Sequence, residues 1–365
     1  MGGLSKPFIL EGSSPLLPPR RREMLAAMKD RLGRPLQDLR ISLTDRCNFR
    51  CRYCMPVEVF GPGYQFLPKD EILTFDEILR VTEAALALGV QKVRLTGGEP
   101  LLRRDAAVLV GMLRGLDPDL DIAMTSNGML LRRFAADLKE AGLSRVTVSL
   151  DAIDPGVFAK MNGVGAKVEK VLDGVQAATD HGLPVKVNSV IQRGVNEQQI
   201  VPLLQWAARE KVIIRFIEYM DVGETNRWKT GEVVTTSALL KMVRDAGYQL
   251  QAMEEAYRGE TARRWRYQSL HDGKEGAWHE MGVISSVSQP FCRDCSRLRI
   301  SASGHAFTCL FAGEGRDLRP LLREGGSVEL LAAELAGRWR GRDDRYSELR
   351  GEVVQTKAEM SYLGG

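Results

Sequence analysis

Between positions 39 and 219 the chain alternates two patterns of apolar and polar residues. Short β-branched runs at 39–44 (LRISLT), 90–96 (VQKVRLT), 121–126 (DIAMTS), 144–150 (SRVTVSL), 184–190 (PVKVNSV) and 211–219 (KVIIRFIEY) read as strands. Each of the first five is followed by a stretch with apolar residues at helical spacing: FDEILRVTEAALALG, RRDAAVLVGMLRGL, LLRRFAADLKEAG, AKVEKVLDGVQAATDHG and NEQQIVPLLQWAARE. Strand-then-helix units of roughly 25 to 35 residues imply parallel strands joined by right-handed crossovers. Six such strands are two short of a closed eightfold barrel, so the expectation is an α/β fold built on an open, partial (βα)6 TIM-like barrel. Chemistry is then expected in the loops at the C-terminal ends of the strands.

From about position 222 the alternation stops. The stretch EAYRGETARRWRYQSLHDGKEGAWHEMGVISSV is rich in aromatic, Gly and charged residues and reads as hairpins or irregular structure, with a helical tail from about 318. The expected organisation is a flexible leader at 1–35, a partial barrel at 36–221 and a smaller C-terminal domain at 222–365.

Composition narrows the class of protein. A chain of 365 residues with 44% hydrophobic and 27% charged content can bury a sizeable core. No apolar run approaches the roughly 20 residues that span a bilayer. The Arg cluster at 20–22 follows the apolar residues of the leader, the reverse of a secretory signal, so no membrane partner and a cytoplasmic location are expected. A net charge of +4 is too small to argue for nucleic acid.

Half of the six cysteines lie in TDRCNFRCRYCMP, directly after the first strand. The C-x3-C-x2-C spacing of Cys47, Cys51 and Cys54 can wrap three thiolates around one corner of a [4Fe-4S] cluster and leave the fourth iron open. A structural zinc site is the alternative, although zinc normally takes four protein ligands and no fourth lies near in sequence. The other three, Cys292, Cys295 and Cys309, form a C-x2-C-x13-C triad in PFCRDCSRLRISASGHAFTC. That spacing alone also allows a zinc site in which His305 is the fourth ligand. Disulfides are a poor explanation in a chain without a secretory signal.

The first triad, with Tyr53 before its last Cys, and TGGEP at the end of the second strand resemble the radical S-adenosylmethionine (SAM) enzymes. The combination of DRCNFRCRYCMP, RLTGGEPL, KVNSV, IEYMDVG, CSRLRISASG and a C-terminal GG is similar to the GTP 3',8-cyclase family within that superfamily, over about 36–365. The resemblance implies two [4Fe-4S] clusters and SAM as cofactors, one cluster on Cys47, Cys51 and Cys54 and the other on Cys292, Cys295 and Cys309. It implies SAM contacts at Tyr53, Gly98, Ser149 and Met220, and a GTP site at Arg40, Arg94, Thr125, Lys186, Arg297, Leu298 and Arg299. The same resemblance gives Arg94, Gly364 and Gly365 a part in radical formation, with the tail threading into the space between the clusters. The implied reaction is cyclisation of GTP to 3',8-cyclo-7,8-dihydro-GTP, the first step of molybdenum cofactor biosynthesis. Implied partners are a low-potential electron donor, the next enzyme of that route and a second copy of the chain. Another twin-cluster radical SAM enzyme, such as a peptide or sulfatase maturase, is the alternative, as is a non-catalytic iron-sulfur or zinc protein. The maturases carry more cysteines in the C-terminal half, and a carrier leaves TGGEP and the paired arginines without a purpose.

Overall fold

The computed structural model describes residues 28–257, 259–270, 277–352 and 356–364. The six expected strands form close to their β-branched runs: β1 (Asp38–Ser42), β2 (Lys92–Thr96), β3 (Asp121–Ser126), β4 (Arg145–Ser149), β5 (Val185–Ile191) and β6 (Ile213–Glu218). Each is parallel to the next, so they lie in chain order. The period of two sorts their side chains. In β5, Val185, Val187, Ser189 and Ile191 are buried, whereas Lys186, Asn188 and Val190 line an interior cavity.

The helices covering the outer face are α1 (Phe75–Ala87), α2 (Ala106–Leu116), α3 (Leu131–Glu140), α4 (Pro155–Asn162), α5 (Val168–Asp180) and α6 (Ile200–Arg209). Thr74 and Glu77 close a reciprocal capping box at the start of α1, which satisfies two amides that the first turn leaves unpaired. Helix α4 was not expected: its PGVFAKMN is too short for a clear apolar stripe, and Asp154 with Pro155 supplies the start signal instead.

The C-terminal third is more regular than its composition suggests. It contains α7 (Thr236–Asp245) and an antiparallel meander of β7 (Tyr248–Ala252), β8 (Arg263–Ser269) and β9 (His279–Ile284). Strand β9 pairs in parallel with β6, and β10 (Arg297–Ile300) pairs in parallel with β1. The six barrel strands are thus flanked on both sides by parallel strands from the C-terminal third. Beyond β10 the sheet ends in antiparallel β11 (His305–Phe307) and β12 (Arg316–Asp317), and among the described residues it does not close. The fold is the open partial barrel expected. Helices α8 (Arg319–Arg323) and α9 (Val328–Arg340) follow, with α9 packed on α1, and a short α10 (Met360–Leu363) leads to Gly364.

The leader expectation changes at its end. Residues 28–35 are a pinned turn, with Leu36 N donating to the Met28 carbonyl at 2.9 Å and Arg34 almost wholly buried. Positions 1–27 lie outside the described residues.

Candidate active site

A cavity of about 920 Å³ runs along the parallel strands, lined by residues at their starts (Asp38, Lys92, Asp121) and at their C-terminal ends (Thr96, Ser126, Ser149). All six cysteines line it, and none is in a disulfide. Tyr53, Gly98, Ser149, Met220, Arg40, Arg94, Thr125, Lys186, Arg297 and Arg299 line it as well. Leu298 does not: alternation along β10 turns its side chain into the core. Gly365 lies outside the described residues.

The first triad sits on a loop held by its own arginine. Arg50 donates to the carbonyls of Cys47 at 2.8 Å, Phe49 at 2.7 Å and Phe60 at 2.6 Å. The Gly-Gly pair of TGGEP packs against this loop. Gly98 N donates to the Thr44 carbonyl at 2.7 Å and Glu99 N to the Arg46 carbonyl at 2.8 Å. A Cβ on Gly98 would collide with the Arg46 carbonyl, and one on Gly97, at φ +141°, with that of Thr44. The close approach these glycines permit is to the cysteine loop.

Glu99 then ties β2 to β3, accepting from Ser126 Oγ at 2.9 Å and from the amides of Asn127 and Leu101 at 2.7 and 3.0 Å. Burial pushes its carboxyl up to about 7 against these donors. Tyr53 donates to Asp151 at 2.8 Å, and burial raises that carboxyl to about 6.

Both triads have the surroundings of thiolate ligands to a cluster. Amide and guanidinium N–H groups reach the sulfurs: Phe49 N to Cys47 at 3.4 Å, Phe311 N to Cys309 at 3.5 Å and Arg297 Nε to Cys295 at 3.3 Å. Such donors tune the potential of a cluster. The thiols sit in different electrostatic surroundings. Burial pushes the Cys47 thiol up to about 11 and that of Cys309 to about 12. Burial also opposes the Cys295 thiolate, but Arg297 and Arg342 beside it outweigh that and hold it at about 6.

Among the described residues, no three His, Cys, Asp or Glu side chains gather closely enough to hold a single metal ion. His305 is turned to Ser303 and Tyr362, each 3.1 Å from Nδ1, and is no fourth ligand to its triad. Three thiols with N–H donors and no fourth protein ligand fit a cluster with one open iron better than a zinc ion.

Register builds the wall opposite. Arg40 pairs with Arg299 on one side and Arg94 on the other, so three guanidiniums lie side by side across β10, β1 and β2. Arg94 and Arg299 are buried and Arg40 is half-buried; burial, with like-charged neighbours, lowers Arg40 and Arg94 to about 10 and Arg299 further. The nearby carboxylates are already engaged: Asp38 pairs with Lys92 at 3.2 Å and Asp121 with Arg145 at 2.6 Å. Arg94 donates to Thr125 at 3.0 Å and Thr147 at 3.2 Å, yet its Nε and that of Arg40 are buried without a partner among the described residues. Buried cations with unmet donors are costly unless an anion completes them. Lys186, lowered to about 8 by burial with Arg215 and Arg145 nearby, extends this wall toward β6. Sequence reading missed Lys92, Arg145 and Arg215, which line the same cavity; Lys92 lies two residues before Arg94 on β2, so the strand period could have marked it.

The tail packs back on the barrel strands. Lys357 pairs with Asp221 at 2.8 Å, and Glu359 accepts from Glu224 N and Thr225 Oγ1 at 3.0 Å each. The chain then reaches Gly364, whose carbonyl accepts from Arg299 Nη1 at 2.6 Å.

Comparison with known proteins places the chain in a family. Residues 41–207 match the family model for the Radical SAM superfamily and residues 212–348 that for Molybdenum Cofactor Synthesis C. The chain is 48% identical to a GTP 3',8-cyclase of Acidothermus cellulolyticus, over 94% of this chain and all of that one. It is 45% identical to a GTP 3',8-cyclase of Staphylococcus aureus, with the same coverage of both. Among solved structures, Streptococcus suis SuiB bound to S-adenosylmethionine shares the fold, with a TM-score of 0.59 at 15% identity over 87% of this chain and 68% of that one. Identity at this level along nearly the whole chain decides the family: the chain belongs to the GTP 3',8-cyclases of the radical SAM superfamily.

Proposed function

We propose that the chain cyclises GTP to 3',8-cyclo-7,8-dihydro-GTP, the first step of molybdenum cofactor biosynthesis, using SAM and two [4Fe-4S] clusters. The observation that carries this reading is the row of guanidiniums Arg299, Arg40 and Arg94, which lines one cavity together with two cysteine triads. No phosphate loop of the G-x4-GK[ST] type occurs in the chain, so the triphosphate falls to these arginines and Lys186.

Cys47, Cys51 and Cys54 hold the first cluster and Cys292, Cys295 and Cys309 the second. When bound, the first cluster and SAM supply a 5'-deoxyadenosyl radical that takes hydrogen from the ribose C3'. Tyr53, Gly98, Ser149 and Met220 line the SAM end of the cavity, with Tyr53 fixed by Asp151. Arg40, Arg94, Thr125, Lys186 and Arg297 orient GTP, and Leu298 contributes through its backbone alone. Arg299 holds Gly364, and in this reading Arg94, Gly364 and Gly365 take part in radical formation.

No helix among the described residues is long and apolar enough to cross a membrane. A cytoplasmic location, a low-potential electron donor, a second copy of the chain and transfer of product to the next enzyme complete the reading. So does a division into a leader, a barrel at 36–221 and a second-cluster region at 222–365.

Cys292→Ser separates the roles. Reductive SAM cleavage should persist, uncoupled, while cyclised GTP disappears. Product at the parent rate would remove the second triad from the reaction.

A further inference from the structure

The turn at 28–36 and the end of α9 meet behind the second triad, where Asp30, Arg34 and Arg342 have side chains 0%, 0% and 2% exposed. The Asp30 carboxylate accepts from Arg34 Nε at 2.5 Å and lies 3.6 Å from Arg342 Nη1. Its other oxygen accepts from the amides of Leu32 and Arg34 at 2.9 and 2.8 Å. One buried carboxylate therefore serves two guanidiniums. Ion clusters at this depth lose so much hydration that they seldom add stability over well-packed apolar side chains, which points to a role in geometry.

The remaining donors supply that role. Arg34 Nη1 donates to the carbonyl of Cys292 at 2.8 Å and to that of Asp344 at 2.7 Å. Arg342 Nη1 donates to the carbonyl of Cys295 at 2.6 Å. Each cysteine of the C-x2-C pair is thus gripped through its backbone by a different buried arginine, and both arginines converge on Asp30. Trp339 fixes the pair from below, its ring 4.5 Å from the Arg342 guanidinium and its Nε1 donating to the Arg34 carbonyl at 3.2 Å. The first triad is held by Arg50 of its own loop; the second is held by residues 258 positions upstream and 47 downstream in sequence.

We propose that Asp30, Arg34 and Arg342 form a clamp that sets the Cys292 and Cys295 backbone and so aims the open iron of the second cluster into the cavity. The proposal rests on the reading of this triad as a cluster site. A guanidinium serves three acceptors at once through its planar fork, which an ammonium on a flexible stem does not reproduce. Charge-conserving Arg34→Lys and Arg342→Lys variants therefore test geometry apart from charge. Arg31→Ala, which removes an exposed arginine paired with Asp343 at 3.3 Å, is the control.

Full-length parent and variants, loaded anaerobically with iron and sulfide, would be compared by iron content, electron paramagnetic resonance of each reduced cluster, SAM cleavage and GTP cyclisation. In both Lys variants the first-cluster signal stays and SAM cleavage remains within about twofold of the parent, while cyclisation falls more than about tenfold. The second-cluster signal changes, or its response to added GTP is lost. Lys variants that match the parent in that signal and in cyclisation overturn the clamp. So does loss of both clusters together with a collapsed melting temperature in both variants, which makes the three residues scaffold only. A parent with a single cluster signal would overturn the second-cluster reading itself, before any variant is compared.

Discussion

Arg299 donates from Nη1 to the carbonyl of Gly364 at 2.6 Å, across 65 positions of sequence. The spacing of Arg297 and Arg299 suggests a pair that grips phosphate together, but each has its own partner: Arg297 the Cys295 sulfur at 3.3 Å, Arg299 the tail. Arg299 therefore links the cation wall to the end of the chain.

That link predicts the behaviour of Gly364→Ala. Gly364 sits at φ +74°, and a Cβ there would collide with Cγ2 of Thr96. A left-handed alanine costs about 1 kcal/mol before any collision. Turnover should fall at least about tenfold with both clusters loaded and GTP affinity within about threefold of the parent. Adding Thr96→Ser, which removes Cγ2, should recover part of the loss. Gly364→Ala with parental turnover would show that the tail contact plays no part.

Arg40 and Arg94 carry the substrate prediction. Arg40→Leu should weaken GTP binding by about 1.5 to 3 kcal/mol, about 12- to 150-fold, the range for a charge-assisted hydrogen bond. Guanosine, which lacks phosphates, should bind as it does to the parent. Because Arg40 is crowded by like charges, its removal should leave the melting temperature of ligand-free protein unchanged or raised. Equal losses for GTP and guanosine, with a lowered melting temperature, would make Arg40 a structural residue.

The lysines set a pH dependence. Burial with neighbouring arginines holds Lys186 at about 8, and burial holds Lys92 at about 8 despite Asp38. Both lie below the ordinary lysine value, so the charged form, which attracts phosphate, is lost as pH rises through that point. GTP affinity should drop about tenfold per coupled lysine between about pH 7 and about pH 9. Lys186→Arg should flatten the profile. Calorimetric titrations across this range check it, and a level profile in the parent would show that neither lysine meets the triphosphate.

Much of this was readable in the sequence because it depends on short-range periods. The β-branched runs gave β1 to β6, whereas Arg40, Arg94 and Lys186, which line the cavity, came from the family resemblance. Long-range pairing was not readable. Nothing local says that β10 lies beside β1, yet this places Arg299 against Arg40. Likewise the demand on Gly98 comes from the Arg46 carbonyl, and the buried turn at 28–36 is explained only by α9 and Cys292 across the fold.

The central claim is that radical chemistry at the ribose of GTP takes place in this cavity. The most direct measurement is incubation of reduced, cluster-loaded protein with SAM and GTP carrying deuterium at C3', followed by mass analysis. The account predicts 5'-deoxyadenosine bearing one deuterium, formed in step with an isomer of GTP that lacks it. Deoxyadenosine without deuterium, or deuterated GTP recovered unchanged while SAM is consumed, would contradict it.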